Sequence, residues 1–186
     1  MKMMKRLIAV LLAATLLFAL SGCYVISAQK MYRVKGTYVL SQYTVTPKHE
    51  RDGTTPTTYN YVEDSEHLYK DYLIVTGEGE GYYVHSEKDS APTVQRVTLS
   101  YEYEEGTSKV SYVSYGKADD QNPLTGMKLG VTKSALNYSR PAFDYTELGT
   151  KRPMRTEGVS VRFERVSRKT DLSYAEKELG VTLTAE

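Results

Sequence analysis

The chain has 186 residues, and its 24 Lys plus Arg against 23 Asp plus Glu leave a formal net charge of +1, too even a balance for a nucleic-acid binder. That length suits one domain of ordinary size, and a single cysteine excludes an internal disulfide framework. Seventeen Tyr, three Phe and no Trp give an aromatic content that favours strands over helices and argues against a disordered chain.

Met1 to Arg6 is basic, Leu7 to Leu20 is an unbroken run of Leu, Ala, Val, Ile, Thr and Phe, and Ser21-Gly22-Cys23 follows. This is the layout of a signal peptide, because a membrane-spanning helix needs ~20 apolar residues and the run is shorter. Leu20-Ser21-Gly22-Cys23 resembles the lipobox of bacterial lipoproteins. The resemblance implies cleavage before Cys23 and acylation of its thiol with palmitate-type chains. It also implies anchoring to the cell membrane on the side away from the cytoplasm, with inner or outer membrane left open. An ordinary secretory signal that leaves Cys23 as a free thiol is the alternative, and it would expose an unpaired thiol in an oxidising compartment. Each buried methylene of an acyl chain contributes ~0.8 kcal/mol, so two or three chains hold a small domain on a bilayer without help from its surface. The expected division is a signal peptide over 1–22, a lipidated cysteine and tether over 23–35, and one folded domain over 36–186.

From Gly36 onward the main signal is alternation with period two, which places side chains on opposite faces of a strand. Thr37 to Val45 reads as the first strand and Thr46 to Thr58 as a solvated loop, with a turn of helix over Asp64 to Tyr69. Asp71 to Thr76 and Gly81 to His85 flank Gly77-Glu78-Gly79-Glu80 as a hairpin. Val97, Leu99, Tyr101 and Tyr103 share one face, and Glu104-Glu105-Gly106-Thr107 turns this strand into Lys109 to Tyr115. Lys128 to Thr132 and Leu136 to Ser139 form a third hairpin, and Val159, Val161 and Phe163 alternate in the last strand, Gly158 to Val166. Ser173-Tyr174-Ala175-Glu176 has capping-box spacing and Gly180 can end a short helix. The sum is an all-β domain of about eight antiparallel strands with a short C-terminal helix, either a barrel or a β-sandwich.

His49, His67 and His85 show no metal-ligand spacing, so no metal is expected. Gly77-Glu78-Gly79-Glu80-Gly81 precedes strand residues and carries carboxylates, which excludes a phosphate loop. No Gly-x-Ser-x-Gly elbow occurs, and the acidic pairs Glu104-Glu105 and Asp119-Asp120 fall at turns, so neither catalysis nor a cofactor is expected. Tyrosine offers a large apolar ring with a hydroxyl that wants a partner, which suits the wall of a cavity for an amphipathic molecule. Tyr83, Tyr101, Tyr103 and Tyr112 are the ligand-binding candidates on that basis; ordinary strand packing, half in the core and half over the outer sheet, is the favoured account of the strand tyrosines.

Gly36-Thr37-Tyr38 at the start of the first strand, with Arg162-Phe163-Glu164-Arg165-Val166 in the last, resembles the lipocalin-like or calycin arrangement. In that superfamily a Gly-x-Trp packs at the closed end of an eight-stranded barrel against an arginine from late in the chain. Tyr38 stands in the tryptophan position. Arg162 or Arg165 supplies the cation, and Arg165 is favoured because it shares parity with Phe163. The resemblance implies a monomer that binds a small apolar or amphipathic ligand in a barrel interior, without catalysis. The alternative is an interaction lipoprotein of the cell envelope whose exposed Tyr-rich sheet binds protein or polysaccharide.

Overall fold

A computed structural model of the chain describes residues 34–53, 56–60, 62, 70–77, 79–87, 89–107, 109–116 and 124–185. Cys23, His67, Asp119-Asp120 and the helical turn expected over Asp64 to Tyr69 lie outside the described residues.

The strands are β1 (Gly36–Thr46), β2 (His49–Glu50), β3 (Tyr59–Asn60), β4 (Tyr72–Val75), β5 (Glu80–His85) and β6 (Thr93–Tyr103), then β7 (Val110–Gly116), β8 (Leu129–Val131), β9 (Ala135–Arg140), β10 (Asp144–Thr146), β11 (Pro153–Arg155) and β12 (Gly158–Ser167). Eight of them, β1, β4, β5, β6, β7, β8, β9 and β12, pair antiparallel in chain order, and β12 returns to pair with β1. That closing ladder runs from Thr37↔Ser167 to Thr46↔Gly158 and removes both sheet edges, so the domain is a closed barrel and not a sandwich. Beyond the described part of β4, β3 adds to the far half of β1 through Thr44↔Asn60 and Val45↔Tyr59.

Alternation decides which residues fill the barrel. Tyr38, Leu40, Leu73, Val75, Tyr83, Val97, Leu99, Val113, Tyr115, Leu129, Leu136, Val161 and Phe163 form one buried cluster drawn from all eight strands. Leu99, Tyr101, Val161 and Phe163 thus face a common interior, with Tyr101 packed partly buried against that cluster. β4 is buried along its whole length because its two faces are covered by different partners. Leu73 and Val75 face inward, whereas Tyr72 and Ile74 join Val84 and Val94 on the outer wall beneath the C-terminal helix.

That helix, α1 (Ser173–Leu179), buries Ala175 on this outer patch and brings Leu183 down after it. Gly180 ends it with φ 70°, a left-handed conformation that glycine adopts without a Cβ penalty. The expected capping box does not form. Asp171 Oδ1 accepts the Ser173 N–H at 3.1 Å, and Glu176 Oε1 accepts from Leu183 N–H at 3.0 Å, so the tail has taken the carboxylate the box would have used.

The segment expected as a plain solvated loop after β1 contains β2, which pairs with β11 through Met154↔Glu50 and Arg155↔His49; β10 completes a small separate sheet. The two ends of the barrel differ in their connections. At the end where β1 begins and β12 finishes, β4 is followed by β5, β6 by β7 and β8 by β9 after three to six residues. The described parts of the connections from β1 to β4, β5 to β6, β7 to β8 and β9 to β12, including the small sheet, adjoin the other end, the mouth.

Candidate functional site

At the end where the chain enters the barrel, Tyr38 has no exposed surface. Its hydroxyl donates to the Val34 carbonyl at 2.7 Å, and the Arg165 guanidinium lies 5.5 Å from its ring centroid. Arg165 NH2 donates to the Lys133 carbonyl at 2.8 Å, which ties the end of β12 to the β8–β9 turn. Burial pushes the Tyr38 hydroxyl above its ordinary value, and the neighbouring Arg165 works against that rise. Gly36 sits at φ 145°, where a Cβ would strike the Ser167 carbonyl and the Arg165 side chain. Glycine is therefore what lets β1 start tight against the end of β12. Arg162, the other candidate cation, faces outward and pairs with Glu164 at 2.8 Å.

The middle of the barrel is filled by rings. Tyr83 and Tyr115 stack with centroids 5.3 Å apart, and Tyr115 meets Phe163 edge-on at 6.3 Å, so aromatic side chains from β5, β7 and β12 bridge the lumen. Any ligand inside must lie between this layer and the mouth.

On the mouth side of the layer the interior becomes polar. Tyr72 pairs with Val84, so Asp71 and His85 come next across the β4–β5 ladder, and both share the inward parity of Leu73 and Tyr83. Asp71 is 7% exposed and holds two donors: its Oδ1 is 2.7 Å from His85 Nδ1 and its Oδ2 accepts the Tyr83 hydroxyl at 2.6 Å. The Asp71 backbone carbonyl also accepts from Leu40 N–H at 2.8 Å, fixing the carboxylate to β1 as well. The hydrogen bond to Asp71 raises His85 above its ordinary value of 6.5, and partial burial opposes the rise. On β1, β12 and β9, which continue the wall on the β1 side of Asp71, Val159 is buried, while Tyr43, Val45 and Tyr138 pack partly buried against the same cluster. The arrangement combines apolar inward side chains with a buried, hydrogen-bonded carboxylate, able to orient a molecule with one polar end.

The four tyrosines expected to line a cavity are not brought together. Tyr83 is in the central layer. Tyr101 faces inward, and burial pushes its hydroxyl up to about 12. Tyr103 is 51% exposed and Tyr112 is 45% exposed. Tyr103 is the last residue of β6, at the end of the barrel, and a β-bulge explains Tyr112: Tyr103 faces Val110 while Glu102 faces Tyr112, so Ser111 is an extra residue. Without it Tyr112 would sit opposite Tyr101 and point inward; with it Val113 takes that place. Asp71 and His85 escaped the sequence reading. Counting outward from the expected Gly77 to Glu80 turn sets Tyr72 opposite His85 and Asp71 opposite Ser86; the observed register, Val75↔Gly81, is one residue tighter and sets Asp71 opposite His85.

Among the described residues there is no cluster of three or more His, Cys, Asp or Glu able to hold a metal, and no helix long and apolar enough to cross a membrane. The closed antiparallel barrel is compatible with the calycin-like fold that Gly36-Thr37-Tyr38 and Arg165 suggest. Compared with known proteins, the chain matches no family model, no curated protein and no solved structure.

Proposed function

We propose that this chain is a lipid-anchored, extracytoplasmic lipoprotein whose barrel binds a small apolar or amphipathic molecule at its mouth, without catalysis. One observation carries the binding part: a carboxylate 7% exposed is set in the inner wall at the mouth, held by Tyr83 and His85, among apolar inward side chains. Burying a charge this far costs stability that apolar residues would not lose, and such costs concentrate at functional positions. The ring layer of Tyr83, Tyr115 and Phe163 sets the floor of the site, so the ligand is short. The anchoring part rests on the basic leader, apolar run and Leu20-Ser21-Gly22-Cys23 alone.

The test of binding is native mass spectrometry of the full-length protein extracted from its own cells. A small molecule retained in repeated preparations, and lost after Asp71→Ala, is the expected result; the bare polypeptide mass in every preparation contradicts it. For the anchor, Cys23→Ala is expected to move the protein out of the membrane fraction into the soluble or uncleaved pool. Unchanged detergent partitioning counts against lipidation.

A second reading, that the outer surface and not the lumen meets the partner, draws support from the exposed rings of Tyr103 and Tyr112.

A further inference from the structure

The barrel wall is most thinly paired at β8, which holds β7 and β9 by two pairs each. β8 has three residues and its ladder to β7 consists of Tyr112↔Gly130 and Val113↔Leu129. Val110 and Ser111 therefore run on toward the end where β1 begins with no strand partner on that side, and the bulge at Ser111 bends β7 there. A groove of about 450 Å3 opens on the outside at this place. That volume falls within the ~300–1,000 Å3 of small-molecule sites.

The chemistry of its lining is specific. The Tyr112 ring lies over Gly130, where a Cβ would come 3.8 Å from Tyr112 Cε1, so the missing side chain lets the ring lie close to the sheet. Tyr112 stays 45% exposed there. Around it stand the Glu104 carboxylate and Lys109 ammonium, 3.0 Å apart, the Ser111 hydroxyl, and the Asn137 amide, whose Oδ1 accepts from Arg162 at 3.5 Å.

We infer that this groove is a second binding site, on the outer wall, and that its ligand is a neutral saccharide. A sugar ring has an apolar face of C–H groups, which packs on an aromatic ring, and an edge of hydroxyls that both donate and accept. Tyr112 offers the ring. Carboxylate, ammonium, amide and hydroxyl on its flanks offer both kinds of partner to the hydroxyls. The Glu104–Lys109 pair is self-compensating, so it gives the groove no net charge to draw a charged ligand. An extended peptide added to β7 would find only Val110 and Ser111 to ladder with, well below the ~5–6 residues of an ordinary strand.

The test is a 1H–15N NMR titration of the full-length protein in phosphocholine micelles, with cellotriose, with chitotriose, and separately with the peptide Thr-Val-Thr-Val-Thr. Saturable shifts at the amides of Ser111, Tyr112, Gly130 and Asn137 with a trisaccharide, at Kd on the order of 1 mM, are expected. Tyr112→Leu keeps Gly130 covered but removes the aromatic face, and it should weaken binding about tenfold or more, with the Tyr38 and Phe163 amides unmoved as evidence of an intact barrel. The inference is overturned by the absence of saturable shifts with both trisaccharides, by shifts with the peptide alone, or by unchanged affinity in a folded Tyr112→Leu protein. None of these outcomes bears on the lumen, whose ligand is read by mass.

Discussion

At the end of the barrel where β1 begins the inward polar groups are spent on closure: the Tyr38 hydroxyl on Val34, the Arg165 guanidinium on the Tyr38 ring and the Lys133 carbonyl. At the mouth the inward polar groups gather around Asp71, a charged acceptor where apolar packing would be more stable. The first set ties the start of β1 to the end of β12, so its removal should loosen the whole barrel. The second set ties β4 and β5 only at their mouth ends, so its removal should alter what the mouth holds more than how the barrel stands. Closure and recognition are thereby separated along the barrel axis, with the Tyr83, Tyr115 and Phe163 layer between them.

The sharpest way to break this contrast is Tyr38→Ala. It removes a fully buried ring, a buried hydrogen bond and a cation contact, and should cost about 3–5 kcal/mol in urea unfolding, the range for a large aromatic truncated in a core. Asp71→Ala takes the shared acceptor from Tyr83 and His85 and should cost about 1.5–3 kcal/mol, while ligand retention is lost altogether. If the two costs were reversed, the mouth and not the end where β1 begins would be the structural keystone.

How much of this was legible beforehand follows from the type of signal. Regular alternation in Val97 to Tyr103 and Val159 to Phe163 is a local property, and it gave the strands, their inward faces and the barrel count. Arg165 could be chosen over Arg162 by parity alone because β12 is regular where it matters. The bulge at Ser111 is not marked by Gly or Pro, so Tyr112 read as inward until the β6–β7 register was in hand. β2, β10 and β11 have two or three residues each, too few for any period to show. The Asp71 and His85 pair is a long-range fact: each looks like a strand-end polar residue, and only the ladder Tyr72↔Val84 sets them side by side.

Smaller effects sharpen the comparison further. Arg165→Gln removes the cation from the Tyr38 ring and should cost ~0.5–2 kcal/mol, with no change in the mass of any retained molecule. His85 should give the smallest effect and a pH signature. Its folded value is raised above 6.5, so its pairing with Asp71 stabilises fully below about pH 6.5 and the contribution fades as pH rises through the elevated value. Its side chain is 40% exposed, so water screening holds this to at most about 1 kcal/mol. Urea midpoints measured from pH 5 to 9 should show the decline in the native chain and a flatter profile in His85→Gln.

The separation of recognition from closure is tested most directly by methyl NMR of the valine-labelled protein titrated with dodecanol, a neutral amphiphile. The account predicts saturable shifts and intermolecular contacts at Val45 and Val159, near the mouth, with Val34 at the opposite end unmoved. Contacts at Val34 without contacts at Val45 and Val159, or no saturable shift anywhere inside the barrel, would contradict it.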